Sequence, residues 1–317
     1  MPIDGGALDS PVRPLSAILE VGLEADRDDV VLTSADGSMT WRELDDASTV
    51  LAAGYLGVGL RRGDRLASLM PNCPALVVHY LACFKAGLVA TPLNYRYAAP
   101  EIDHALEVSG AAALVSHAER VDDVAASRLA ADLSCGVIRY GDSEADGVTF
   151  ESLATGAHPA AELEPADPSD PAVIFFTSGS TGPAKGVTHS HETIRWMCAS
   201  AAAALELQRG DVVMPASSMS HIGAFLWTLA SLSVGARVVT ARTFDAHAIF
   251  PLLRSERPTV LTMIPAALTA LVREHDVTAA DFESLRVCRA AADKVSLELQ
   301  EEFAHLVGFP IDEGYGM

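Results

Sequence analysis

The sequence of 317 residues is poor in positive charge and in long apolar runs. Lysine and arginine total 22 against 42 aspartates and glutamates, and the resulting net charge of −20 repels polyanions. Nucleic acids and anionic membranes are therefore excluded as expected partners. The longest apolar stretch, Ile222 to Ala236, is interrupted by hydroxyls and glycines and is shorter than the roughly 20 apolar residues of a membrane span.

Cysteine pairs and a leader-like start are also missing. The five cysteines are scattered without a CxxC pair, which predicts reduced thiols in a cytoplasmic protein. Residues 1–14 have neither a basic start nor an apolar core, so we expect no signal peptide. Half of the residues are hydrophobic, which is enough for a large core, and the length predicts about two domains at roughly 150 residues each.

Short apolar runs alternate with amphipathic segments along the whole chain. This alternation predicts an α/β fold with two αβα-type lobes and mostly parallel sheets. Residues 156–171 are rich in proline, alanine and acids and lack periodicity, which indicates a linker. We place an N-terminal α/β lobe at 1–160, the linker proper at 161–171 and a second α/β lobe at 172–317.

The most informative segment is the loop that follows the predicted strand Ala172–Phe176. Residues 177–182 read Thr-Ser-Gly-Ser-Thr-Gly, and Lys185, one of only three lysines, follows them. Glycines allow successive backbone N–H groups to converge on an anion, and the hydroxyls and the ammonium add donors. A flexible Ser/Gly loop is the alternative, but an apolar strand before the loop and a second strand after it favour an anion site.

A P-loop of the nucleoside triphosphatases is a second alternative for this segment. That motif needs Gly-x-x-x-x-Gly-Lys-Ser/Thr at the start of a helix. Here Lys185 stands between Ala184 and Gly186, and the chain continues as a predicted strand at Val187. The sequence and its context both argue against a P-loop.

The loop and several further motifs resemble the adenylate-forming superfamily of acyl- and aryl-CoA synthetases, peptide-synthetase adenylation domains and beetle luciferases. The similar segments span residues 30–317: Arg-Gly-Asp-Arg at 62–65, Asn72, residues 80–87, Pro-Leu-Asn at 92–94, residues 177–187, Pro265, and Glu-Gly-Tyr-Gly-Met at 313–317. One difference lies in the loop itself, because the family's usual proline before the lysine is Ala184 here.

The resemblance implies a two-step reaction. A carboxylic acid reacts with ATP, accompanied by Mg²⁺, to give an acyl-adenylate and pyrophosphate, and the thiol of coenzyme A then displaces AMP. Catalytic roles are implied for Thr177, Lys185 and His221. The residues implied to bind the ATP phosphates are Thr177, Ser178, Gly179, Ser180, Thr181, Gly182 and Lys185.

The resemblance also implies a wall for the adenylate and a pocket for the acyl group. Tyr315 would stack on adenine, and the adenylate-binding residues would be Ala291, Ala292, Asp293, Asp312, Glu313, Gly314, Tyr315, Gly316 and Met317. The acyl pocket would contain His221, Ile222 and Gly223. A His-Ile-Gly sequence here, rather than Phe-Asp, favours a simple organic acid over an amino acid; aromatic, polycyclic and medium-chain acids all fit.

His189 and His191 lie on one side of a predicted strand, as a metal-binding pair would. No further ligand cluster accompanies them in the sequence, so we expect no metal ligand from the protein and Mg²⁺ to arrive with ATP. By analogy alone, a homodimer is compatible with this family.

Two departures from the family pattern qualify these expectations. The usual Gly-Gly-Ala-Pro reads Ala-Ala-Asp-Lys at 291–294, and the added methyl groups would reshape the wall beside the acyl carboxylate, as in a specialised synthetase. The chain also stops at Met317 inside the Tyr-Gly-Met-Thr-Glu-type motif, so we expect a fragment that does not complete thioester formation alone. The alternatives are a non-catalytic nucleotide-binding relative and an enzyme that passes its acyl group to a carrier protein.

Overall fold

The computed structural model describes residues 13–141, 147–158, 163–177, 182–274 and 277–314. The strands are β1 (Val30–Ser34), β2 (Gly37–Thr40), β3 (Arg65–Leu69), β4 (Val89–Pro92), β5 (Ala113–His117), β6 (Val137–Tyr140), β7 (Pro171–Phe176), β8 (Gly186–Ser190), β9 (Val212–Ala216), β10 (Arg237–Val239), β11 (Val260–Met263), β12 (Val287–Ala291) and β13 (Asp312–Gly314). The helices are α1 (Glu20–Asp26), α2 (Trp41–Gly57), α3 (Pro74–Ala86), α4 (Ala99–Ser109), α5 (Val121–Ala126), α6 (Phe150–Thr155), α7 (His191–Ala204), α8 (Ile222–Ser233), α9 (Ala246–Glu256), α10 (Pro265–Glu274) and α11 (Leu297–Val307).

Local sequence signals explain where the helices begin and end. The Thr40 side chain accepts a hydrogen bond from the N–H of Glu43, whose carboxylate accepts one from the N–H of Thr40, so a capping box starts α2. Pro74 opens α3, and Gly87 ends it in the left-handed conformation at φ +66°. Nζ of the buried Lys85 lies 2.7 Å from Asp45 Oδ1, which fixes α3 against α2.

The strands form two mostly parallel sheets, as predicted. Sheet A has the order β13-β12-β11-β9-β10-β1-β2, and sheet B has the order β6-β5-β3-β4-β7-β8. Among the strands of the described residues, only the pairs β1–β2 and β7–β8 are antiparallel. The first of these pairs is the hairpin predicted around Ala35-Asp36-Gly37.

The distribution of strands between the sheets differs from the two lobes expected from the sequence. β1 pairs with β10 in sheet A, with Leu32 opposite Val238, although β1 precedes the linker. β7 follows the linker but pairs with β4 in sheet B, with Ala90 opposite Val173. Each sheet therefore takes strands from both sides of residues 161–171, because apolar runs predict strands without predicting their partners.

The two sheets enclose a common layer of helices. One continuous apolar cluster contains residues of both sheets together with buried side chains of α2, α3, α7 and α8. Helices α9, α10 and α11 cover the other face of sheet A, and α4 covers the other face of sheet B. Among the described residues, no helix is long and apolar enough to cross a membrane.

Buried histidines in the central layer are held neutral. His79 is fully buried with Nδ1 2.8 Å from the Tyr55 hydroxyl, and burial lowers its pKa to about 3. His191 is buried against the ring of Phe84, and burial lowers its pKa to about 4. Both rings are therefore uncharged in the folded protein above about pH 4.

We predict a loss of stability as the pH falls from about 6.5 to 5. The unfolded chain binds protons at the ordinary histidine pKa, whereas His79 and His191 do not bind them in the fold. Each ring should raise the unfolding equilibrium constant by roughly tenfold per pH unit in this window. Urea unfolding at several pH values measures the slope. The variant His191→Gln should reduce this slope, whereas a change at the exposed His305, His305→Gln, should not. A free energy of unfolding that does not change between about pH 6.5 and 5 would refute the prediction.

Candidate active site

The ends of the predicted phosphate loop meet at the carboxyl end of β7. The N–H of Thr177 donates to the carbonyl of Lys185 at 3.0 Å, and the N–H of Lys185 lies 3.4 Å from Thr177 Oγ1. This contact continues the antiparallel pairing of β7 and β8 and closes the base of the loop. The predicted residues Ser178, Gly179, Ser180 and Thr181 lie outside the described residues.

The second limb of the loop is anchored while its cation remains exposed. Nε2 of His104 on α4 donates to the carbonyl of Ala184 at 2.7 Å. Lys185 and Gly182 are exposed, and within the described ranges no carboxylate pairs with the Lys185 ammonium. An exposed cation and a hydroxyl at the base of a glycine-containing loop suit a phosphate chain.

His221 precedes α8, and the core connects this helix to β7. The ring of Phe225, one helical turn after His221, packs edge-to-face on Phe175 with centroids 5.0 Å apart. Phe175 is two residues before Thr177, so the strand that leads into the loop contacts the first turns of the helix that begins at His221. His221 is exposed, its side chain makes no capping hydrogen bond, and partial desolvation lowers its pKa.

The predicted adenylate wall lies where β12 and β13 end. Ala291 is paired with Gly314, and the parallel direction of both strands brings their carboxyl ends to one edge of sheet A. Asp312 pairs with Arg289 at 3.0 Å, whereas Asp293 is exposed and accepts a hydrogen bond from the N–H of Lys294. The other predicted members of this wall are Glu313, whose carboxylate bonds to Gln300, and Tyr315, Gly316 and Met317, which lie outside the described residues.

Ala292 has a backbone conformation that favours glycine. Its φ is +77°, in the left-handed region that costs an alanine roughly 1–2 kcal/mol. Ala291 is part of β12 and has no positive φ. The two alanines that replace the family's usual glycines are therefore not equivalent, because only Ala292 is strained.

An open groove of about 600 Å³ runs between α7, α8 and β12. It is lined by two tryptophans, one guanidinium and small or apolar side chains: Thr193, Trp196, Met197, Ser200, Ala201, Ala204, Leu226, Trp227 and Arg289. The guanidinium carbon of Arg289 lies 5.4 Å from the Trp227 ring centroid. No spacing in the sequence predicts this groove, although a lone arginine inside the apolar strand β12 is a signal for it.

The predicted acyl-pocket residues lie at the start of the helix that lines this groove. Ile222 is half-buried and Gly223 is exposed, and both precede the lining residues Leu226 and Trp227. The predicted acyl-pocket residues and the groove therefore share α8, and the contact of Phe225 with Phe175 connects this helix to the strand before the loop. Among the described residues, no group of three or more His, Cys, Asp or Glu side chains could hold a metal ion.

Comparisons with known proteins agree on one family. The profile of the AMP-binding enzyme family matches residues 19–317. The chain is 32% identical over 288 residues to a feruloyl-CoA synthase of Amycolatopsis sp, covering 88% of this chain and 54% of the relative. It is 29% identical over 287 residues to 4-coumarate–CoA ligase 3 of Oryza sativa subsp. japonica, covering 88% and 51%.

A solved structure is also similar. A benzoate CoA ligase from Burkholderia xenovorans LB400 superimposes with a TM-score of 0.84 at 26% identity, covering 96% of this chain and 61% of that chain. The chain spans about half the length of the two sequence relatives that it matches.

The strain at Ala292 generates a prediction. Ala292→Gly should stabilise the protein by about 0.5–1 kcal/mol, since the gain from relieved strain exceeds the added entropy of the unfolded chain. The matched change Ala291→Gly, inside β12, should destabilise it by about 0.5–1 kcal/mol. Urea unfolding of both variants measures the difference. Equal destabilisation by both substitutions would contradict the assignment of strain to Ala292.

Proposed function

The chain belongs to the AMP-binding enzyme family, and we propose that it carries the adenylation site of a synthetase that couples aromatic carboxylic acids to coenzyme A. The observation that carries this proposal is the contact between Phe175 and Phe225. Phe175 lies on the strand that leads into the loop closed by Thr177 and Lys185. Phe225 lies on the helix that begins after His221 and lines the groove, so this contact connects the loop to the groove.

The proposed reaction has two steps. A carboxylate oxygen of the acid forms a bond to the α-phosphorus of ATP, the bond to the β-phosphate oxygen breaks, and pyrophosphate leaves with the bonding electrons. The thiolate sulfur of coenzyme A then forms a bond to the acyl carbon, and AMP leaves. Mg²⁺ would accompany ATP and offset part of the triphosphate charge.

The residues of the site would act by placing charge and donors. The Lys185 ammonium stabilises the negative charge that develops on the departing pyrophosphate. The Thr177 hydroxyl donates to a phosphate oxygen beside it. His221, at the start of the helix that lines the groove, positions the carboxylate for attack, and its lowered pKa favours the neutral ring.

The groove supports an aromatic acyl group. Trp196 and Trp227 offer flat surfaces for a planar ring, and the Arg289 guanidinium can donate to an oxygen substituent on it. The names of both sequence relatives and of the structural neighbour refer to aromatic acids. The same names favour coenzyme A over a carrier protein as the acyl acceptor.

Acid-dependent exchange of pyrophosphate into ATP tests the first step. We predict exchange with an aromatic acid by the longest form of the protein that the gene encodes, and a roughly 10²- to 10³-fold slower exchange in Lys185→Met. The control is Arg27→Met. It removes an exposed cation just before the amino end of β1, whereas the candidate site lies at the carboxyl ends of strands.

The outcomes of this experiment separate the alternatives. Exchange with no acid in a broad panel would contradict the proposal and favour a non-catalytic nucleotide-binding protein. Exchange that is equally fast in wild type and Lys185→Met would leave the family intact but remove the proposed role of Lys185.

Calorimetric titration of the 317-residue chain with matched acids tests the groove. An aromatic acid should bind more tightly than its ring-saturated counterpart, which has similar size and the same carboxylate. Trp227→Leu should lower the affinity for the aromatic acid by roughly threefold to tenfold, which corresponds to about 0.5–1.5 kcal/mol of lost ring contact. The affinity for the saturated acid should stay nearly unchanged. Equal affinities of both acids for the wild-type chain would contradict an aromatic acyl group.

A further inference from the structure

The side chain of Asn72 connects the end of β3 to the loop that precedes α8. Asn72 is only 4% exposed, which places its amide inside the protein. Nδ2 donates to the carbonyl of Ser217 at 2.8 Å, and Oδ1 accepts from the N–H of Met219 at 2.9 Å. The Asn72 amide thus bonds to the carbonyl of Ser217 and to the N–H of Met219 two residues later, as the backbone of a neighbouring strand would.

Tyr80 holds the same loop from α3. Its hydroxyl, also buried, donates to the carbonyl of Met219 at 2.9 Å. Asn72 and Tyr80 together therefore make three hydrogen bonds to the backbone of residues 217–219. Since buried backbone groups left without partners are costly, these bonds determine the path of the loop.

This loop leads directly to His221. The N–H of His221 donates to the carbonyl of Ser218 at 3.1 Å, and its carbonyl accepts from the N–H of Phe225 at 3.3 Å. Within the described ranges, the His221 ring has no hydrogen-bond partner of its own. The position of the ring thus depends on its backbone, and the backbone depends on Asn72 and Tyr80.

We propose that Asn72 is a positioning residue that acts through His221, holding the backbone that carries this ring at the start of the helix that lines the groove. The inference rests on the role of His221 in the proposed function. Asn72 itself lies in the bend between β3 and α3, 149 positions earlier in the chain, and is not placed in contact with any substrate. Its effect on the reaction would pass through two loop residues, Ser217 and Met219.

Exchange kinetics test the functional part of this proposal. Asn72→Ala should lower the kcat of acid-dependent pyrophosphate exchange by roughly tenfold to hundredfold, as expected for a misplaced group, with a nearly unchanged KM for ATP. Tyr80→Phe, which keeps the ring packing and removes one bond, should show a smaller loss in the same direction. In the double variant Asn72→Ala/His221→Ala, the loss should equal that of His221→Ala alone.

Histidine NMR of the 317-residue chain tests the positioning without any activity. The His221 ring resonances, identified by their absence in His221→Gln, should shift in Asn72→Ala and less so in Tyr80→Phe. Ser127→Ala is the matched control, because it removes a buried hydrogen bond of 2.6 Å between the end of α5 and Asp103 on α4, away from residues 217–221. It should lower stability without moving the His221 resonances or kcat.

The readouts distinguish the failure of this inference from the failure of the proposed function. Unshifted His221 resonances in both Asn72→Ala and Tyr80→Phe would overturn the positioning role. Losses of kcat that multiply in the double variant would overturn it as well, since Asn72 would then act independently of His221. An unchanged kcat in His221→Ala would instead refute the role assigned to His221, whatever the NMR spectra show.

Discussion

The burial of Phe225 is the constraint on which the candidate site depends. Its ring packs edge-to-face on Tyr80 and Phe175, both at 5.0 Å, and on Phe84 at 6.3 Å. These contacts join α8 to α3 and to strand β7 inside the common core. The strand that leads into the predicted phosphate loop and the helix that begins at His221 are therefore packed together in one core. The site is a consequence of how the two sheets share one layer of helices.

The sequence predicted the local structure well because local signals encode it. Proline and glycine delimit α3, and a turn sequence at 35–37 lies between β1 and β2. The predicted division into two lobes did not account for the sheets, because pairing between distant strands leaves no local pattern. β7 joins β4 in sheet B, although some 80 residues and the predicted linker separate the two strands.

The site could be predicted only in part, for the same physical reason. The loop between Thr177 and Lys185 stands out in the sequence because its hydroxyls, glycines and cation are contiguous. Other contacts join segments that are distant in the sequence, so no residue spacing predicts them. Examples are the contacts of Asn72 with residues 217–219 and of Arg289 with Trp227. The strain at Ala292 likewise became visible only with its backbone conformation.

The most direct test of the account is a crystal structure of the chain with a non-hydrolysable ATP analogue. The account predicts phosphate oxygens about 3 Å from the Thr177 hydroxyl and the Lys185 ammonium. It also places the adenine ring at the carboxyl ends of β12 and β13. Nucleotide bound elsewhere on the protein, with Thr177 and Lys185 out of contact with it, would contradict the central claim.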